Sequence, residues 1–138
     1  EAYNYPEIFF EEKIHEIRRI TPDINQVKKA IEIIKQSKKP IIISGGGVLY
    51  SEAEKELSNF AKNHNVPVVQ TVMGFGSMIS DDPYNIGPVG GLGGRAANNI
   101  AKLTDLVIAI GTKLSDFTTG SWANFENPQF LFLLSIEI

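Results

Sequence analysis

Pro40-Ile41-Ile42-Ile43-Ser44-Gly45-Gly46-Gly47 sets three β-branched residues in a row between a proline and a run of glycines. Alternation of polar and apolar residues would mark a strand with one wet face. A continuous apolar run predicts instead a strand buried on both faces, as in a parallel sheet covered by helices. The glycines then turn the chain sharply at the strand's carboxyl end. Upstream, Val27, Ala30, Ile31 and Ile34 recur at helical spacing, with Asp23 placed to cap the helix start and Lys38-Lys39-Pro40 to end it. Downstream, Ser51 and Glu54 read as a capping box, with Ala53, Leu57, Phe60 and Ala61 on one helix face and Asn63-His64-Asn65 as a polar stop.

The same alternation continues. Val66-Pro67-Val68-Val69-Gln70 reads as a second strand, and residues 71–94, rich in Gly, Pro and Asp, as a long loop with a short strand near Ile86 to Val89. Residues 95–103 predict a helix with Ala96, Ile100 and Leu103 on one side. Leu106-Val107-Ile108-Ala109-Ile110 is a further buried strand closed by Gly111, and residues 130–136 are another. Helices alternating with two-sided apolar strands predict an α/β fold with a parallel sheet between helical layers. Residues 1–22 are expected to be a linker or arm and residues 23–138 the α/β domain. Tyr3, Tyr5, Phe9 and Phe10 of the arm lack a helical period, leaving docking on a neighbour or a short local helix near residues 6–17.

A chain of 138 residues suits one domain. The formal net charge of −3, with Lys and Arg dispersed among acids, argues against a nucleic-acid surface. No apolar run approaches the ~20 residues of a membrane span. With no cysteine there is neither a disulfide framework nor a thiolate nucleophile. His15 and His64 are isolated and lack partners at metal spacing, so no metal site is expected and surface or packing roles suit both. Asp81-Asp82-Pro83 reads as a turn, and Trp122 with Phe117 and Phe125 as local packing. The chain lacks an initiator Met and ends in an apolar strand, and is expected to be a piece of a longer protein.

Three glycine-bearing loops are candidate ligand contacts because each follows a strand, and ligands of open α/β sheets bind at strand carboxyl ends. The first is Gly45, Gly46 and Gly47, whose other reading is plain turn geometry. The second runs from Gly90 through Gly93, Gly94 and Arg95; residues 91–96 match G-x-G-x-x-A, but no acid ends the next strand, which excludes an independent NAD site. The third begins Gly111-Thr112-Lys113 and continues through Asp116 to Ser121, suited to polar ligand contacts or a domain interface, or else a solvated loop capping the next turn. The three are expected to converge on one edge, where glycine N–H groups with Arg95 and Lys113 would form a shallow anion-accepting crevice.

Taken in order, Pro-Ile-Ile-Ile-Ser-Gly-Gly-Gly-Val, Val-Pro-Val-Val-Gln-Thr, the Gly-rich loop and Asp-Leu-Val-Ile-Ala-Ile-Gly-Thr-Lys-Leu-Ser-Asp resemble the central domain of the acetolactate synthase and pyruvate oxidase superfamily, over residues 22–138. Residues 1–10 and 115–121 resemble in particular the branch that hydrolytically opens a cyclic 1,2-diketone in myo-inositol catabolism. The resemblance implies a three-layer Rossmann-like domain with six parallel strands, of which this chain would hold five and lack the last. It implies a cytoplasmic, homo-oligomeric parent that uses thiamine diphosphate (ThDP) and Mg²⁺, both held by neighbouring N- and C-terminal domains outside this chain. The central domain is then a non-catalytic spacer. Some relatives hold FAD or ADP against loops matching 45–47, 90–95 and 111–113. Thr112-Lys113 stands where those relatives carry Arg, which argues against FAD, since Lys lacks the bidentate fork.

Overall fold

The computed structural model describes residues 3–14 and 21–126, and the backbone of 133–136. Five strands, β1 (Pro40–Ser44), β2 (Val68–Gln70), β3 (Asn85–Pro88), β4 (Leu106–Ile110) and β5 (Leu133–Ile136), form one sheet in the order β3-β2-β1-β4-β5. Every pairing is parallel; Ile42 of the central strand stands beside Val68 on one side and Ile108 on the other. The helices are α1 (Ile24–Gln36), α2 (Gly46–Tyr50), α3 (Glu54–His64), α4 (Arg95–Leu103) and α5 (Asp116–Thr119).

Because side chains alternate along a strand, each run of apolar residues feeds two cores. Ile42, Val68, Leu106 and Ile108 pack with Leu57 and Ala61 of α3 and with Ile33 and Ile34 of α1. Ile41, Ile43, Val69 and Val107 face the other way, toward Ala97 and Ala101 of α4. The result is the three-layer α/β arrangement expected from the sequence.

Several local expectations shift. Ser51 and Glu54 do not form the expected capping box: Ser51 closes α2, its N–H donating to the Gly47 carbonyl, and α3 starts at Glu54 behind Ala53. In α1 Ala30 is buried and Val27, Ile33 and Ile34 are half-buried, while Ile31 is 44% exposed. In α4 the buried residues are Ala97 and Ala101; Ala96 is exposed and Leu103 is 67% exposed. The arm holds a short 3₁₀ turn, Glu7–Phe10; Tyr5 stacks on Phe9, Phe10 meets both rings edge-on, and all three remain exposed. His15, the far end of the possible arm helix, and residues 130–132 of the last expected strand lie outside the described residues.

The caps at Asp23 and Asn65 follow the sequence. The Asp23 carboxylate accepts from the N–H groups of Asn25 (2.7 Å) and Gln26 (3.2 Å), and Asn65 takes the left-handed conformation that ends α3. At the amino edge of the sheet Asp105 joins two connections. It accepts from the Ser37 hydroxyl and from the N–H groups of Lys38 (2.7 Å) and Lys39 (2.9 Å), so the turn into β4 holds the turn into β1. Burial pushes the Asp105 carboxyl up, but these bonds together outweigh it and hold its pKa below the usual 3.8. A carboxyl with a lowered folded pKa stabilises the fold above its unfolded value, and that contribution disappears as pH falls through the folded value. Asp105→Asn is therefore expected to cost about 2 kcal/mol near neutral pH. It should also flatten the acid limb below about pH 4 in urea unfolding measured against pH. An unchanged acid limb would show that Asp105 is not the group that titrates.

Candidate functional site

All five strands run the same way, so the connections leaving their carboxyl ends share one edge of the sheet. The three glycine loops meet there, as expected. Gly45 N–H donates to the Ile110 carbonyl and Gly47 N–H to that of Gly111, both at 2.9 Å, and Gly91 N–H donates to Phe117 at 2.8 Å. The contacts are too close for side chains: a Cβ on Gly45 would lie 2.2 Å from the Gly111 carbonyl oxygen, and one on Gly47 would lie 2.6 Å from the Gly111 Cα. Glycine is required here because two backbones touch.

The N–H groups expected to face an anion are largely spent on this packing. Those of Gly45, Gly47 and Gly91 bond to neighbouring loops; those of Gly93 and Gly94 bond to Gly90 and Pro88 within their own loop. Gly90 is held by Asn98, whose amide accepts from the Gly90 N–H (2.9 Å) and donates to its carbonyl (3.0 Å). Asn98 also accepts from the Asn124 amide at 3.1 Å, tying α4 to the segment after α5.

Above the loops lies an open crevice of about 500 Å³. Of the candidate residues, Gly46, Gly111, Thr112 and Lys113 line it; Gly45, Gly47, Gly93, Gly94 and Arg95 do not. Lys113 is its one cationic lining residue, and the remainder is mostly apolar: Val72, Met73, Val89, Leu92 and Phe117, with Thr71, Ser115 and Thr118. Phe117 is 74% exposed and does not join the local packing expected of it, whereas Trp122 and Phe125 do meet, with ring centroids 6.0 Å apart. The third loop folds upon itself: the Thr119 hydroxyl donates to the Ser115 carbonyl (3.1 Å) and accepts from the Trp122 N–H (3.1 Å).

The segment after β2 is the contribution the sequence reading missed. Its signal was available, because Gln70 ends a strand parallel to the others and the next residues must join the same edge. A buried polar cluster fixes it. The Ser44 and Ser77 hydroxyls are 2.6 Å apart, and the Gln70 amide donates to Ser77 and to the Met78 carbonyl. The Thr71 hydroxyl accepts from the Gly74 N–H at 3.1 Å, capping the 3₁₀ turn Val72–Gly74. On the far side of this segment Asp82 forms the expected turn, accepting from the Tyr84 N–H and from the Ser58 hydroxyl.

No group of three or more His, Cys, Asp or Glu side chains comes together among the described residues. Likewise no helix among them is long and apolar enough to cross a membrane.

The sequence pattern of the thiamine pyrophosphate enzyme central domain matches residues 27–137. A protein of Clostridium perfringens (strain 13 / Type A) named 3D-(3,5/4)-trihydroxycyclohexane-1,2-dione hydrolase is 47% identical over 96% of this chain. Proteins of the same name from Bacillus thuringiensis (strain Al Hakam) and Bacillus anthracis are 45% identical over the same share. In each case the chain spans 21% of the relative's length. With three-quarters or more of its length matched and a sheet of the expected kind, the chain belongs to the central-domain family of thiamine pyrophosphate enzymes.

Proposed function

We infer that the chain serves as the non-catalytic central domain of a ThDP-dependent hydrolase that opens the ring of 3D-(3,5/4)-trihydroxycyclohexane-1,2-dione. The observation that carries this is the 45–47% identity to hydrolases of that name, sustained over 96% of the chain. ThDP and Mg²⁺ would be held by neighbouring N- and C-terminal domains, in a homo-oligomeric enzyme acting in the cytoplasm in myo-inositol catabolism. When bound, ThDP supplies the carbon nucleophile for breaking the bond between the two carbonyl carbons. This chain's residues hold the frame against which those domains are set.

A nucleotide at the carboxyl edge is the second reading, favoured by the convergence of residues 45–47 and 111–113. We expect no flavin there. The bonded N–H groups of Gly45, Gly47 and Gly91 leave little for a pyrophosphate, and Lys113 offers a point charge where flavin-holding relatives offer Arg. The primary reading is tested by titrating ThDP with Mg²⁺ into the 138-residue chain. The expected result is no heat beyond dilution; saturable binding at micromolar ThDP would overturn it.

A further inference from the structure

Four large apolar side chains stand together on the carboxyl edge of the sheet with most of their surface in solvent. Val72, Met73, Leu92 and Phe117 are between 60% and 74% exposed. All four line the crevice above the glycine loops. They come from three connections far apart in sequence, which the parallel topology gathers. Scattered exposed apolar residues are ordinary on any protein; a contiguous group facing a concavity marks an interaction surface.

The backbone that carries the group is pinned by hydrogen bonds. The capped turn Val72–Gly74 sits on the buried Ser44, Gln70 and Ser77 cluster, and the loop bearing Leu92 is tied by Gly90 to Asn98 and by Gly91 to Phe117. A backbone already fixed in place loses little freedom when covered, which favours docking. With Lys113 the one cation in the lining, the crevice matches an apolar protein face better than an anion.

We propose that this apolar rim at the carboxyl edge is the seat of another domain of the same polypeptide. The inference rests on the reading of the chain as a central domain. The relatives are about five times longer, with the matched region 21% of their length, and the family pattern is named for a central position. The occupant is thus a flanking domain that presents apolar side chains, not a second copy of this segment.

The chain has two methionines, and they make an internal comparison: Met73 is 68% exposed and Met78 is 4% exposed. Mild peroxide oxidation followed by peptide mass spectrometry reads both, since sulfoxide formation follows solvent access. In the 138-residue chain, Met73 is expected to oxidise roughly tenfold faster than Met78. In the longer polypeptide that carries this segment, Met73 should become as slow as Met78. Fast Met73 in both would overturn the proposal, because nothing covers the rim. Slow Met73 in both would also overturn it, because the rim is then covered without any flanking domain. Should Met78 oxidise quickly in the short chain, that chain has opened, and the ratio in the longer polypeptide alone decides. The functional reading fails separately: a longer polypeptide with protected Met73 and no ThDP-dependent turnover keeps the docking face and loses the activity.

Discussion

Gly90→Ala is expected to destabilise the domain by about 3 kcal/mol or more, lowering Tm by roughly 10 °C. Two causes add. Gly90 has φ +102°, outside the small left-handed region that L residues tolerate, and its missing Cβ would lie 2.0 Å from the Phe117 carbonyl oxygen. That oxygen belongs to backbone that also accepts the Gly91 N–H, so it cannot give way without losing a hydrogen bond. The neighbouring substitution separates these effects from a general intolerance of the loop. Gly91 has no positive φ, and a Cβ there would meet Phe117 at an ordinary 3.9 Å. Gly91→Ala should therefore change stability by less than about 0.5 kcal/mol. Denaturant unfolding of the pair measures the contrast; equal stability would mean that the loop does not close on α5 as described.

Ile42→Ala is the second large effect, at about 4 kcal/mol. Ile42 lies in the middle of the central strand, fully buried, between Val68 and Ile108 and beneath the helices of one layer. Strands flank it on both sides, so the surroundings can collapse only partly into the space, and the cavity cost adds to the lost transfer energy. Ile31→Ala makes the same chemical change on the outer side of α1, where 44% of the residue is exposed, and should cost under about 1 kcal/mol. If the two variants unfold at similar denaturant concentrations, the assignment of helix faces is wrong.

That comparison also marks how far the sequence could be read. Strands β1 and β4 were legible to the residue, because a two-sided apolar run bounded by proline or glycine has few alternatives. The ends of α4 were legible as well, but not its rotation. Reading by size favours Leu103 for the core, whereas the helix approaches the sheet through Ala97 and Ala101, where small side chains permit close contact. In α1 apolar residues stand at 24, 27, 30, 31, 33 and 34, a stripe wide enough to fit either rotation. The convergence of the glycine loops followed from parallel topology alone. Their hydrogen bonding did not: that Gly45 and Gly47 would spend their N–H groups on residues 110 and 111 depends on how closely two distant loops approach. The roles of Asn98, Ser77 and Asp105 were hidden for the same reason, since each bonds to partners remote in sequence or set only by the fold.

The assignment of this chain as a non-catalytic central domain is tested most directly by a paired assay with the dione as substrate and ThDP and Mg²⁺ present. The 138-residue chain and a longer polypeptide in which the proposed neighbouring domains flank it are compared at equal concentration. The account predicts ring opening by the longer polypeptide that disappears when ThDP is omitted, and none by the 138-residue chain under any condition. Turnover by the 138-residue chain itself, or a folded longer polypeptide that leaves the dione untouched with ThDP bound, would contradict it.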